Sequence, residues 1–260
     1  MFKEIPETPY AMRKRIQFIY GEIEKRIRNV EDRAKIRILD IGCGTGEYIT
    51  IPLGRLGATI TGIDTHQPSI EHARQRNPYE NVHFQCVSVD ELSDQQFDFV
   101  ICSEVLEHLG EPAKMLESMK KLLKPGGVCI ITIPNGYGPK EIDVKLHRIL
   151  SSLGVLSLLR HLVRKPRQKP DREANWKDSL NPDSPHVQFF SYGRFKHLVE
   201  GVGLSILKRR NRRFLSGPFA NRLLLKSERL MDWNARIADK LPRCLVSSWM
   251  FVIEQAEGKS

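Results

Sequence analysis

The sequence predicts an α/β protein in which a doubly wound, mostly parallel, seven-stranded sheet carries a helical cap formed by two insertions. Short apolar runs alternate with helical segments over residues 36–135, which is typical of a parallel sheet covered on both faces. A glycine-rich turn directly follows the first of these runs. After residue 135 the alternation breaks twice, where polar and helical stretches separate the last predicted strands.

The first elements follow from hydrophobic spacing. Residues 10–30 are predicted to form an amphipathic helix, because Met12, Ile16, Ile19, Ile23 and Ile27 recur at helical intervals. Strands are predicted at KIRILDI, TITGID, NVHFQCV, FDFVIC and GGVCIITIP, and helices at PSIEHARQRN and EPAKMLESMKKLLK. These elements divide into an N-terminal helix (residues 1–35) and a sheet core (residues 36–135).

The remaining elements form the cap and complete the sheet. In the first insertion (residues 136–190), residues 141–163 are predicted to be one helix, followed by a proline-rich, charged loop. Residues 191–260 contain a predicted helix at SYGRFKHLVEGVG, a strand at LSILKRR, a second insertion and a final strand at WMFVIE. We expect both insertions to lie at one rim of the sheet and to roof a pocket.

Composition limits the class of protein. The 260 residues are 40% hydrophobic and 28% charged, as in ordinary globular proteins. The first residues lack the apolar segment of a secretory signal, and no run of about 18 apolar residues is present to span a membrane. The five cysteines are scattered without paired spacing. These features predict a cytoplasmic protein in a reducing compartment, without disulfides or a zinc knuckle.

Positive charge is concentrated in one part of the chain. The net charge is +10, and residues 160–213 contain 14 Lys and Arg against 5 Asp and Glu. One interpretation is a solvated loop. The other is a surface for an anionic substrate, phospholipid head groups or RNA.

The glycine-rich turn, LDIGCGTG, lets a ligand approach the backbone closely at Gly42, Gly44 and Gly46. It lacks the lysine of a phosphate-binding P-loop. A dinucleotide fingerprint, G-x-G-x-x-G, would need a glycine at the position after Gly46, where this sequence has Glu47. Asp40, two residues before the first glycine, is unfavourable beside a pyrophosphate and suits a ligand with positive charge.

Asp64 ends the second strand, 18 residues after Gly46. An acidic residue at that position is well placed to accept both hydroxyls of a ribose. A ribose beside a positively charged centre and an amino-acid tail corresponds to S-adenosylmethionine.

On the motifs LDIGCGTG, GID, FDFVICSEVLEHL and LKPGG, residues 36–135 resemble the class I S-adenosylmethionine-dependent methyltransferases, which have a Rossmann-like fold. The resemblance implies contacts to the methionine end from Asp40, Gly42, Gly44 and Gly46, to the ribose from Asp64, and to the adenine from Thr65. It leaves Ser88 and Asp90 as alternatives for the adenine amine, and it places Cys102 opposite the methyl group, although a buried cysteine more often serves packing.

The segment SEVLEHLG places Glu104, Glu107 and His108 at i, i+3 and i+4, which predicts one face of a helical turn. Two carboxylates and an imidazole could bind a divalent cation, with His186 as a fourth ligand or as a free general base. The arrangement resembles ubiquinone-biosynthesis O-methyltransferases and small-RNA 2′-O-methyltransferases, which implies Mg²⁺ or a similar ion. The alternative is that the three side chains pack behind the cofactor without a metal.

Three functional hypotheses follow. The first is transfer of a methyl group to a hydroxyl of a small molecule, such as a sugar or a quinone precursor, with His186 or His108 as the base. The second is methylation of an RNA 3′ end, against which residues 160–185 carry only one aromatic residue, Trp176. The third is a binding protein without catalysis. The helix at 141–163 would act as a lid or as a peripheral contact with the inner membrane surface; the oligomeric state is left open.

Overall fold

A computed structural model describes residues 12–92, 95–154, 187–220 and 227–256. The strands, in chain order, are β1 Arg37–Ile41, β2 Thr59–Asp64, β3 Val82–Cys86, β4 Phe97–Ser103, β5 Leu123–Pro134, β6 Leu204–Arg213 and β7 Ser248–Gln255. They form one sheet in the order β3-β2-β1-β4-β5-β7-β6. The first five strands pair in parallel, and β7 lies antiparallel between β5 and β6. The predicted mostly parallel, seven-stranded sheet is therefore confirmed.

The helices follow in chain order as α1 Met12–Ile27, α2 Thr50–Leu53, α3 Gln67–Arg76, α4 Pro112–Leu122, α5 Pro139–Ser152, α6 Tyr192–Gly201 and α7 Glu228–Lys240. A proline lies in the first turn of α3, α4 and α5, where its missing N–H costs no intrahelical hydrogen bond. The hydroxyl of Ser191 accepts a hydrogen bond from the Arg194 N–H and caps α6.

The sheet separates two hydrophobic clusters. Along β4, Val100 and Cys102 belong to one cluster and Phe99 and Ile101 to the other, because successive side chains of a strand point to opposite faces. Helices α4 and α6 contribute apolar side chains to the first cluster, and α1 and α3 contribute to the second. The doubly wound arrangement follows from these two buried faces.

Helix α1 is part of the core. Ile16, Ile19, Ile23 and Ile27 are at most 1% exposed and pack in the same cluster as Ile38 of β1. The predicted amphipathic helix is confirmed, and its apolar face covers the sheet.

The two insertions contact each other beside the sheet. On α5, the Asp143 carboxylate accepts hydrogen bonds from the N–H groups of Phe219 and Ala220, at 2.9 and 3.2 Å. The His147 and Phe219 rings lie 5.3 Å apart. An acceptor on the first insertion thus fixes the backbone of the second.

The prediction of one helix over residues 141–163 is wrong in its extent. Helix α5 ends at Ser152, and Gly154 adopts a φ of 72°, which is a left-handed conformation typical of helix ends. Residues 155–163 lie outside the described ranges.

The outer face of α5 is apolar and exposed. Ile142, Leu146, Ile149 and Leu153 are between 48% and 69% exposed, and their spacing puts them along one side of the helix. We call these four residues the α5 stripe. None of the described helices has the length and apolar character needed to cross a membrane.

Candidate active site

The carboxyl ends of β1, β2, β4 and β5 meet at one edge of the sheet, because these strands run parallel. The segments that follow them therefore lie close together. They comprise the glycine loop after β1 (residues 42–46), Asp64 at the end of β2, and the segment from Glu104 to His108 after β4. Ligands of open α/β sheets bind at this edge.

The glycine loop requires glycine at three positions. Gly42, Gly44 and Gly46 have φ values of 68°, 55° and 69°, which disfavour other residues. A Cβ atom at Gly42 would lie 2.5 Å from Val105, and one at Gly46 would lie 2.5 Å from Phe84. At Gly44 a Cβ would meet no atom of the described residues within 4 Å, so the loop leaves open space there for a ligand.

Asp64 fixes the open side of this loop. Its Oδ2 accepts a hydrogen bond from the Gly44 N–H at 2.9 Å, and its Oδ1 accepts one from the His66 N–H at 2.9 Å. A carboxylate has lone pairs beyond these two bonds. Asp64 therefore orders the loop and retains acceptor capacity for hydroxyl groups.

A cavity of about 460 Å³ lies next to Asp64. Its lining combines apolar side chains with five of the predicted cofactor contacts, and it extends to Glu104 and His108. The five are Gly42, Asp64, Thr65, Ser88 and Asp90. Both alternatives for the adenine amine, Ser88 and Asp90, line it. The size and the mixed lining fit a nucleoside ligand.

Two predicted cofactor contacts are deeply buried. Asp40 is 2% exposed, and its Oδ2 accepts a hydrogen bond from the Thr50 hydroxyl at 2.6 Å. Burial raises the pKa of Asp40 to about 7. Cys102 is fully buried in the apolar core, where burial raises the pKa of its thiol, and its role at the methyl group stays a prediction.

Glu104 follows β4 with a φ of 59°, a left-handed value unusual for a residue with a side chain. Its Oε1 accepts a hydrogen bond from the Thr132 hydroxyl at 3.0 Å and lies 3.0 Å from Nη1 of Arg212. Burial would raise the pKa of Glu104, but the charges of Arg212, Arg15 and Arg213 outweigh it and lower this pKa to about 2. Glu104 is therefore ionised and paired.

Glu107 lies in a different environment. Its side chain is 1% exposed, and its Oε2 has no hydrogen-bond partner among the described residues. Burial, and secondly the charge of Glu104, raise the pKa of Glu107 to about 8. His108, which lines the cavity, has its Nε2 4.0 Å from Glu107 Oε1.

The predicted helical face of Glu104, Glu107 and His108 is wrong. The chain forms a short 3₁₀ turn only over Leu106–His108, and Glu104 precedes it with a left-handed backbone. Over the part of the chain that the structure describes, no three His, Cys, Asp or Glu side chains are grouped as metal ligands. These three residues do not fit the metal site that the resemblance implies.

His186, the predicted general base or fourth ligand, lies outside the described residues. The chain after it contacts the site, since the N–H groups of Val187 and Gln188 donate to the carbonyl oxygen of Glu107 at 2.9 and 3.0 Å.

Sequence reasoning missed two buried arginines. Arg15 of α1 and Arg212 of β6 are 6% and 2% exposed. Burial, and secondly Arg212, lower the pKa of Arg15 to about 10, while Glu104, Asp40 and Glu107 oppose this shift. Arg15 could have been noticed, because it stands one helical turn before Ile19 on the apolar side of α1. Nothing local distinguishes Arg212 from its basic neighbours in KRRNRR.

The sheet order, the glycine loop with its open position and the acidic end of β2 define a class I S-adenosylmethionine-dependent methyltransferase domain. Residues 7–209 match the family model described as a methyltransferase domain. The chain belongs to this family, in which S-adenosylmethionine is the methyl donor.

Relatives agree with this assignment over part of their length. The chain is 38% identical over 130 residues to the ubiquinone biosynthesis O-methyltransferase of Psychrobacter cryohalolentis, covering 47% of this chain and 49% of the relative. It is 29% identical over 141 residues to the enzyme of the same name from Coxiella burnetii, covering 52% and 58%. The chain thus spans about half the length of the curated relatives it matches.

Solved structures share the fold at low identity. The magnesium protoporphyrin IX methyltransferase from Synechocystis PCC 6803, solved with bound S-adenosylhomocysteine, matches with a TM-score of 0.55 and 16% identity, over 95% of this chain and 85% of that one. A putative sarcosine dimethylglycine methyltransferase from Galdieria sulphuraria matches with a TM-score of 0.54 and 15% identity, over 94% and 86%.

Proposed function

We propose that the protein transfers a methyl group from S-adenosylmethionine to a hydroxyl of a small molecule. The observation that carries the proposal is the His108–Glu107 pair, where the imidazole lines the cavity and the buried carboxyl lies 4.0 Å behind it. The similarity to ubiquinone biosynthesis O-methyltransferases supports a small-molecule acceptor.

Different residues would bind different parts of the cofactor. The glycine loop would hold the methionine end, Asp64 the ribose hydroxyls, and Thr65 with Ser88 or Asp90 the adenine. The positive sulfonium supplies an electrophilic methyl group when the cofactor is bound. The chain's contribution is to align the acceptor with that group and to exclude water.

His108 is proposed to take the proton of the accepting hydroxyl as the oxygen forms its bond to the methyl carbon. The imidazole becomes positively charged in this step, and Glu107 would stabilise that charge in its ionised form, which is favoured above its pKa of about 8. His186 remains the alternative base.

Purified protein incubated with methyl-labelled S-adenosylmethionine and fractionated bacterial extract tests the proposal. We expect label in the saccharide or lipid-soluble fraction, with His108→Ala lowering the rate about 100-fold or more while S-adenosylhomocysteine still binds. Label confined to RNA 3′ ends would contradict the small-molecule acceptor. Failure of the wild-type protein to bind S-adenosylhomocysteine would instead favour a protein that has lost the chemistry.

We further propose that the α5 stripe makes a peripheral contact with an anionic membrane surface, which would bring a lipid-linked or prenylated acceptor to the site. The stripe is exposed, and Lys140, Lys145 and Arg148 lie on the same helix. Sedimentation with vesicles of phosphatidylcholine and phosphatidylglycerol tests this contact. Ile142→Glu/Ile149→Glu should reduce binding, and Leu207→Glu, at an exposed position of β6, should not. Equal binding of the wild type, the Ile142→Glu/Ile149→Glu variant and the Leu207→Glu control would refute the contact.

A further inference from the structure

Glu104 of the E-x-x-E-H segment is already paired with a cation of the protein, the guanidinium of Arg212 on β6. Mg²⁺ prefers an octahedral shell of oxygen ligands at about 2.0–2.1 Å. At Glu104, however, one carboxylate oxygen is engaged by the Thr132 hydroxyl and by the guanidinium of Arg212, each at 3.0 Å. This carboxylate therefore faces an arginine where a metal ligand would face the ion.

A distortion of the sheet brings Arg212 to this position. In the pairing of β6 with β7, Asn211 is opposite Trp249 and Arg213 is opposite Ser248, so the register shifts at Arg212, which is an extra residue of β6. Such a β-bulge redirects a side chain, and bulges are frequent next to active sites. Arg212 is 2% exposed, so its charge lies in the protein interior.

The properties of arginine and the neighbouring charges support Arg212 as a permanent cation beside Glu104. A guanidinium stays charged when buried and offers several donors in fixed geometry. Arg15 adds a second positive charge that acts on Glu104, Asp40 and Glu107. Removing one partner of a buried ion pair weakens the compensation of the other charge, so Glu104 without Arg212 would keep only the more weakly acting charges of Arg15 and Arg213.

We propose that Arg212 takes the place of a divalent cation at Glu104, so that the native protein binds no metal there and loss of Arg212 opens a site for one. An ion admitted in this way would meet the carboxylate of Glu104, which Arg212 no longer occupies. The pairing of Arg212 with Glu104 does not depend on the identity of the acceptor.

The test is Mn²⁺ binding, followed by the loss of the free-ion signal in electron paramagnetic resonance. Wild-type protein and Arg212→Lys, which keeps a positive charge, should leave the signal unchanged. Arg212→Met should bind about one Mn²⁺ per chain, and the double variant Arg212→Met/Glu104→Gln should lose that binding. A folded Arg212→Met protein that binds no Mn²⁺ would overturn the proposal.

A second measurement does not require the Arg212 variants to fold. Thermal unfolding of the wild type and of Glu104→Gln is recorded with and without Mn²⁺. The proposal expects no Mn²⁺ effect that depends on Glu104. Stabilisation of the wild type by Mn²⁺ that disappears in Glu104→Gln would show a resident metal and would overturn it.

Discussion

At the residue scale, the three loop glycines serve different purposes although all have positive φ. Gly42 and Gly46 avoid collisions with Val105 and Phe84 inside the protein, whereas Gly44 borders open space. Substitution at the first two positions therefore disturbs packing, and substitution at Gly44 adds a methyl group to the ligand's side of the loop.

We expect Gly44→Ala to weaken S-adenosylhomocysteine binding about tenfold or more, equivalent to at least about 1.4 kcal/mol. The left-handed backbone costs about 1–2 kcal/mol of stability for alanine. Isothermal titration calorimetry measures the affinity. Gly57→Ala is the matched control, because Gly57 also has positive φ, at 75°, with its nearest neighbour 3.8 Å away in a turn outside the site. Equal loss of affinity in both variants would show that strain alone is responsible.

Glu107 should make the stability of the fold depend on pH. Its pKa rises from the ordinary 4.5 to about 8 in the folded protein, so the folded state holds its proton more tightly than the unfolded state. The free energy of unfolding therefore falls as the pH rises from about 4.5 to about 8. Asp40, with its pKa raised to about 7, acts in the same direction.

We expect Glu107→Gln to reduce this fall between pH 5 and pH 8.5 by on the order of 1–3 kcal/mol. Urea unfolding at several pH values measures it, and Glu31→Gln, an exposed carboxylate, serves as the control. An unchanged pH profile in Glu107→Gln would mean that this carboxyl titrates normally. Glu104 opposes the trend only at acid pH, since its lowered pKa stabilises the fold above 4.5 and that stabilisation is lost as the pH falls toward 2.

At the element scale, the Asp143 carboxylate joins the described parts of the two insertions. Asp143 is the acceptor for two N–H groups of the second insertion, and hydrogen bonds to a charged group contribute about 1.5–3 kcal/mol each. These hydrogen bonds join two insertions that are far apart in the sequence.

Asp143→Ala should increase amide hydrogen exchange of Phe219 and Ala220 about tenfold or more, while binding of S-adenosylhomocysteine stays unchanged. Glu141→Ala, on the same helix, provides the comparison. Equal exchange rates in the wild type and in Asp143→Ala would show that Asp143 does not hold the backbone of the second insertion.

Elements with local signals were predictable from the sequence. The strands and α1 follow from apolar spacing, and the glycine loop follows from its motif. The end of α5 was missed because the apolar pattern continues past Gly154. The helical turn over Glu104, Glu107 and His108 was mistaken, because i, i+3, i+4 spacing assumes a helix and the backbone at Glu104 is left-handed. The role of Arg212 could not be predicted, because Arg212 and Glu104 are 108 positions apart in the sequence. The β-bulge that brings them together has no local sequence signal.

At the scale of the whole molecule, α1 and the sheet share one core, although the sequence divides them at residue 35. The helix is also tied to the far edge of the sheet, where Lys208 of β6 lies 2.6 Å from Glu22. We infer that the N-terminal helix and the sheet unfold together.

Ile19→Ala should lower the free energy of unfolding by about 2–5 kcal/mol, with midpoints from circular dichroism and tryptophan emission that still coincide. Ile19 is fully buried, and Leu207, 51% exposed, offers a control whose replacement by alanine should cost about 0.5 kcal/mol or less. Separate midpoints for the two signals would show that α1 unfolds as an independent unit.

The strand order has a consequence for biosynthesis. Strand β6 pairs with β7, and β7 also covers the edge of β5, yet β7 is synthesised after both. A nascent chain that has not yet released residues 248–255 from the ribosome carries β5 as an open edge, which is a template for association with other chains. The contact of Arg212 with Glu104 depends on the same strand, because β6 joins the sheet through β7.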